Sequence, residues 1–154
     1  MSIFHSMNTT ASALTTQRLR MDVISSNIAN VDTTRAKQVN GEWEPYRKKS
    51  VILKEQEGQF SSFLNTAMGK TVKSGAGNGV KVSSIKDDTE TPFKLVYDPA
   101  HPDANDDGYV QMSNVDVLKE MVDLISASRS YEANITAFNA NKSMLTKALE
   151  IGKG

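Results

Sequence analysis

Cysteine is missing from all 154 residues, which excludes disulfide scaffolds, thiolate metal sites and cysteine nucleophiles together. That composition suits a reducing cytosol, and equally an extracytoplasmic protein built without covalent staples. Aromatic residues are scarce at 6%, while 23% of positions are charged, so the chain has material for one modest globular part rather than a thick core. A surplus of either charge is also lacking. Lysine plus arginine number 18 and aspartate plus glutamate 18, so no whole-chain field draws the protein to nucleic acid or an anionic membrane. The N-terminal MSIFHSMNTTASALTTQRLR has neither the charged start nor the continuous apolar stretch of a secretory signal. No apolar run approaches the ~20 residues that span a membrane, so membrane insertion is not expected.

Catalytic and cofactor motifs are absent as well. There is no G-x-S-x-G, P-loop or dinucleotide fingerprint. His5 and His101 stand in different regions without a second ligand at metal spacing, and both read as surface histidines. The basic triplet Arg47, Lys48, Lys49 follows Trp43 and Tyr46 and is flanked by glutamates, as at a solvated strand end. The stretch DANDDG, residues 103–108, matches the first half of an EF-hand loop: Asp103, Asn105 and Asp107 take positions one, three and five, and Gly108 takes six. Position twelve, which needs a bidentate glutamate, is Asn114, and the two prolines of YDPAHP oppose an entering helix. A polar loop before a strand is the expected structure. No enzyme activity and no cofactor are expected.

What is present is concentrated at the two ends. Met7, Leu14, Met21 and Ile28 recur every seven residues, with Ala11 and Ile24 between them, and no glycine or proline interrupts this stretch. Toward the other end Val117, Met121, Leu124, Ser128, Tyr131, Ile135, Phe138, Lys142, Leu145 and Leu149 alternate in steps of three and four, a sustained heptad seam. Ser113 or Asn114 is expected to cap that helix, Ser113 with Asp116 fitting an acidic capping box, and Gly152 is expected to stop it. At ~1.5 Å per residue the N-terminal helix would run ~40 Å and the C-terminal one ~50 Å, rods rather than core packers.

Between the helices, KKSVILKE, NGVKVSSI, PFKLVYD and GYVQM are short β-prone runs set apart by Gly, Pro, Asp and Ser. They predict a small antiparallel β region, with a flexible Gly/Ser-rich insertion near residues 57–79. The fold class expected is therefore α+β: long terminal helices pairing as an antiparallel coiled coil, with a β region between them. The division is 1–34 for the N-terminal helix and its turn, 35–112 for the β region, and 113–154 for the C-terminal helix. No internal repeat is visible.

The helices lack the charged outer face of a solvated rod. Before Arg18 the first carries no full charge, only His5, and between residues 125 and 141 the second has only Arg129 and Glu132. Ser, Thr, Ala and Asn fill the remaining positions, small residues that permit close approach and hydrogen bonding across an interface. Such faces suit contact with protein on several sides, although a simple antiparallel pair with a neutral surface fits them too.

The first helical pattern ends in SSNIANVDTT, residues 25–34, whose short polar groups can cap free amides and carbonyls as the chain turns away. Ser26, Asn27, Ile28, Ala29, Asn30 and Thr33 resemble the signature near the N-terminus of the bacterial flagellar rod and hook proteins. EPYRKK at residues 44–49, and the stretch from YDPAHP to ITAFN at residues 97–139, resemble the proximal-rod branch of that family. Only residues 54–80 lack a counterpart.

The resemblance implies a structural subunit of the flagellar basal body, in the cell envelope. Its terminal helices would pair and pack with neighbouring rod subunits, and with copies of itself, into the inner tube of a helical assembly that carries motor torque. The β region would lie farther from the axis. The resemblance further implies export through the flagellar type III apparatus without a cleaved signal, and terminal segments that order on assembly. The interface positions would be Met7, Leu14, Met21, Ile28, Met121, Leu124, Tyr131, Ile135, Phe138, Leu145 and Leu149. Asn27 and Asn30 are then expected to lock the helix exit against a neighbour, with a purely local cap as the alternative. One departure stands out: Thr33 is followed by Thr34, Arg35 and Ala36 where many members have x-Gly-aromatic, which argues against the hook and distal rod. The competing reading is a soluble coiled-coil adaptor whose Asp-rich loop holds calcium.

Overall fold

The computed structural model describes residues 3–56, 64, 67–69 and 78–152. Among the described residues two long helices enclose six strands in sequence. Helix α1 covers Ile3–Ala29 and α2 covers Val117–Ile151, 27 and 35 residues. The strands are β1 Lys37–Val39, β2 Glu42–Glu44, β3 Lys49–Glu55, β4 Val80–Asp87, β5 Lys94–Tyr97 and β6 Tyr109–Met112. None of the described helices is long and apolar enough to cross a membrane.

The strands form three separate two-stranded sheets, β1–β2, β3–β4 and β5–β6. β1 and β2 are antiparallel, Gln38 facing Trp43, and Asn40 and Gly41 make the turn with φ of 54° and 94°. Positive φ at both central residues matches strand twist in a two-residue hairpin, and Asn-Gly adopts it most readily. The sequence reading did not place this hairpin. The β3–β4 pair is bounded by Gln56 N–H donating to Gly79 O at 3.0 Å and Asp88 N–H donating to Lys48 O at 2.7 Å, the order of antiparallel strands. β5 and β6 are antiparallel with Val96 opposite Val110 and Tyr97 opposite Tyr109. Most of the anticipated 57–79 insertion lies outside the described residues.

The α2 cap differs from expectation. Asp116, immediately before the helix, accepts from Leu118 N–H at 3.1 Å and Lys119 N–H at 3.4 Å, so it is the N-cap. Ser113 and Asn114 cannot serve because their side chains are engaged elsewhere: Ser113 Oγ accepts Val115 N–H, and Asn114 bonds other segments. At the far end Gly152 N–H returns to Ala148 O at 3.2 Å, closing the helix where glycine was expected to stop it.

The chain divides into two compact units. One comprises Leu19–Ile52 and Ser84–Ser128, and its buried apolar residues are Ile24, Tyr46, Val110, Val115 and Ala127. The other comprises Met1–Arg18, Leu53–Ser83 and Arg129–Gly154. In it Thr16 is buried, Ser12 Oγ accepts Val80 N–H at 3.1 Å, and Asn141 Nδ2–H donates to Ser6 Oγ at 2.9 Å.

Hydroxyls on both helices bond back along their own helix. Thr9 donates to His5 O, Ser12 to Thr9 O, Thr15 to Ala11 O and Thr136 to Glu132 O. Such bonds remove the donors from the helix face, so a surface rich in Ser and Thr can be covered without stranding them.

Candidate functional site

The signature residues at the end of α1 build a buried polar cluster. Asn27 is 0% exposed. Its Oδ1 accepts from Lys49 N–H at 2.9 Å and from Tyr46 Oη–H at 3.0 Å. Its Nδ2–H donates to Lys49 O at 2.9 Å and to Glu120 Oε2 at 2.9 Å. An asparagine amide offers two donors and two acceptor lone pairs, and all four are engaged. The one side chain thereby joins α1, the Tyr46 segment, the first residue of β3 and the first turn of α2.

Glu120 lies on α2 with its side chain 2% exposed, and Lys48 Nζ stands 2.5 Å from its Oε1. Removing a carboxylate from water is unfavourable by several kcal/mol unless charge and hydrogen bonds replace hydration, and here a cation meets one oxygen and an amide the other. Asn114, 5% exposed, extends the cluster: its Oδ1 accepts Lys48 N–H at 2.7 Å and its Nδ2–H donates to Asp88 O and Thr91 O. The Asp88 carboxyl is held below the usual carboxylate range, first by the Thr91 backbone amide and then by the Thr91 hydroxyl.

Asn30 works locally. Its Nδ2–H donates to Ser26 O, a last-turn carbonyl of α1, and its Oδ1 accepts Thr33 Oγ1–H. Thr33 O then accepts Tyr46 N–H at 3.0 Å. Ser26 Oγ lies 3.4 Å from Tyr46 Oη. Ile28 is half-buried and Ala29 exposed. For Asn27 the geometry fits the local-cap alternative, since its amide is fully engaged inside the chain and the residue is inaccessible, while the half-buried Asn30 bonds Ser26 O and Thr33 locally.

The predicted interface residues fall into two sets. Met7, Leu14, Met21, Ile28, Leu124, Tyr131, Phe138 and Leu145 are half-buried. Met121, Ile135 and Leu149 are exposed. At the intermediate positions of the α2 seam the buried side chains are Glu120 and Ala127, one residue before Met121 and Ser128. Sequence reasoning missed Glu120, Tyr46, Lys48 and Asn114. The signal available was the polar character of seam-adjacent Glu120 with a lone basic triplet to meet it. Outside the seam Leu118, Val122 and Ile125 share one outward strip of α2, at 77%, 66% and 60% exposure.

The Asp-rich loop is occupied by the chain itself. Asp103 accepts Arg35 Nε–H at 2.6 Å and Thr34 Oγ1–H at 2.8 Å, and Asn105 Oδ1 accepts Tyr109 N–H at 2.8 Å. Arg35 and then Thr34 hold the Asp103 carboxyl below the usual carboxylate range. Among the described residues no three His, Asp or Glu converge as metal ligands. In the basic triplet, Arg47 lies over the Phe93 ring at 4.2 Å, Lys48 meets Glu120, and Lys49 opens β3.

Comparison with known proteins agrees with this anatomy. Residues 7–37 match the family described as flagella basal body rod protein, and residues 106–151 match the C-terminal family of the flagellar basal body rod FlgEFG proteins. The chain is 65% identical to the flagellar basal-body rod protein FlgC of Bacillus subtilis, across 99% of this chain and 100% of the relative. It is 44% identical to the protein of that name from Borreliella burgdorferi, over the full length of both. With the Salmonella typhimurium protein it shares 39% identity over 99% and 100%.

Proposed function

This chain belongs to the FlgC family of flagellar basal-body rod proteins, and from that premise we propose how its helices build the rod. The protein is a structural subunit of the proximal rod, not an enzyme, and assembles with other rod subunits. Its terminal helices pair antiparallel as a coiled coil. Supporting this, Asn27 and Arg20 of α1 reach Glu120 and Asp123 of α2, while Ser6, near the start of α1, meets Asn141 late in α2. Contacts that rise along one helix as they fall along the other are those of an antiparallel pair.

The observation that carries the assembly reading is the outward strip of Leu118, Val122 and Ile125, with Met121 beside it. An apolar strip of this kind on a helix whose other face is buried marks a protein contact. Neighbouring subunits cover it, together with the outward Ile135 and Leu149, and the neutral Ser- and Thr-rich faces whose hydroxyls are satisfied internally. In the assembled rod the helices transmit torque and the strand pairs lie outward. The chain reaches that site through the flagellar export apparatus, its terminal segments ordering on assembly. The calcium-adaptor reading draws no support from a loop whose Asp103 and Asn105 side chains are engaged within the chain.

Replacing Leu118, Val122 and Ile125 with serine tests the strip. Exposed positions of this kind shift folding stability by about 0.5 kcal/mol or less each, so the purified chain stays folded. Rods and swimming should be lost. Normal basal bodies in that strain refute the role of the strip.

A further inference from the structure

Two grooves open beside the β1–β2 hairpin, both formed within the unit that carries the Asn27 cluster, and each has a volume of about 650 Å³. They differ in charge. The first is walled by Glu42, Trp43, Glu44, Asp103 and Tyr109, and its lining contains three carboxylates and no cation. The second is walled by Arg35, Lys37, Arg47 and Lys49, four cations against the two carboxylates Glu44 and Asp87.

Part of this charge is balanced within the chain. Arg35 pairs with Asp103, and Arg47 Nε stands 3.7 Å from Glu44 Oε2. The exposed charges that remain are Glu42 on one side and, on the other, Lys37 and Lys49 with the single carboxylate Asp87 against them, the Lys49 Nζ also standing 5.6 Å from the Tyr46 ring centre. Beside Glu42 the Trp43 indole is 55% exposed, an apolar ring face next to a carboxylate. An acidic groove with a bare indole receives Lys and Arg side chains, the aliphatic stem on the ring and the cation at the carboxylate. The neighbouring groove presents that chemistry.

We propose that these grooves are the two halves of one contact, in which the Glu42–Trp43 groove of one copy of this chain receives the Lys37–Lys49 groove of a second copy. The proposal rests on the rod-subunit reading and names a partner for this surface. Charge complementarity on a single chain, whose net formal charge is zero, makes like copies compatible rather than repulsive. Because the two patches are different surfaces, the contact can repeat head to tail, as an open helical assembly requires.

The natural chain contains no cysteine, so introduced thiols report cleanly. Cells expressing two versions of the chain, Glu42→Cys and Lys49→Cys, are used to prepare basal bodies, which are mildly oxidised and run without reductant. The expected result is a band at twice the 16.9 kDa chain mass, yielding a peptide that joins positions 42 and 49, and present only when both versions are expressed. Both versions recovered from basal bodies as monomer alone overturns the docking while leaving the rod reading intact. If even the unsubstituted chain is missing from basal bodies, the rod reading fails and the docking falls with it.

Charge reversal provides a measurement independent of the thiols. Glu42→Lys should lower incorporation into basal bodies about tenfold, and adding Lys49→Glu to the same chain should restore it. Failure of the second change to restore what the first removed also overturns the proposal.

Discussion

Asn27 and Lys49 exchange two hydrogen bonds as a pair of strand residues would: the asparagine Oδ1 accepts the lysine amide and its Nδ2 donates to the lysine carbonyl, each at 2.9 Å. A side chain at the end of a helix here completes the first position of a strand. The same amide also holds Tyr46 and Glu120. The family signature thus acts on the fold of the single chain, setting where α1 ends, where β3 begins and where α2 enters.

Substituting Asn27 by alanine should strand several buried groups at once, among them the Lys49 amide and Glu120 Oε2. Each unsatisfied buried group is unfavourable by about 1–3 kcal/mol, so a loss of roughly 3 kcal/mol or more is expected. The urea midpoint of the purified chain measures it. Asn27→Asp should be worse than alanine, because it keeps the acceptor but replaces the donor facing Glu120 with a second carboxylate. A midpoint unchanged by both substitutions contradicts the staple.

For the Lys48–Glu120 pair, removing one partner should be more damaging than removing both. Lys48 keeps 18% side-chain exposure, so the effect is set below that of a fully buried pair: about 2–3 kcal/mol for Glu120→Leu, which leaves the lysine unmatched. The double variant Lys48→Met with Glu120→Leu should recover part of that loss. A double-mutant cycle on chemical denaturation gives the coupling, and strict additivity would show that the two charges act independently.

Gly79 has φ of +93°, and a Cβ there would sit 2.5 Å from Ser12 Oγ, the acceptor of the Val80 amide. Gly79→Ala should destabilise the chain by about 1–3 kcal/mol through backbone strain and the displaced hydroxyl. Combining it with Ser12→Ala removes the clash but not the strain, so only partial recovery of the thermal midpoint is expected. Full recovery would assign the whole effect to the clash.

The acid response follows from Asp103 and Asp88, both held below the ordinary aspartate value of 3.8. A carboxyl with a depressed folded value contributes stability that is complete above its unfolded value and is lost as pH falls through the folded one. Their contribution should be flat from neutral pH down to about 5 and decline below about 4. Asp103→Asn should flatten that decline in urea midpoints recorded against pH. Added salt should shrink the Asp103 share most, since the Arg35 cation is its main partner whereas Asp88 is held chiefly by the neutral Thr91 amide and hydroxyl.

The large elements were legible because their signals are local. Seven-residue recurrence marked both helices, β-prone runs marked β3 to β6, and Gly152 marked the end of α2. The β1–β2 hairpin carries its signal in Asn40–Gly41 alone, because strands of three residues each are too short to show an alternating pattern. What could not be read locally was set by distant partners. Ser113 and Asn114 look like helix caps, but Asn114 is drawn to Lys48, Asp88 and Thr91, which leaves capping to Asp116. Glu120 looks like a surface residue beside an apolar seam, yet Lys48 and Asn27 hold it inside while Met121 stays exposed. Periodicity assigns apolar residues to the interior, and it has no means of seeing an ion pair that links residues 48 and 120.

The central claim, that this chain is a structural subunit of the flagellar basal-body rod, is tested most directly by deleting its gene and imaging basal bodies by electron microscopy. Rods and hooks should be missing while the membrane ring persists, and a plasmid-borne copy should restore them. Complete flagella in the deletion strain would contradict the assignment.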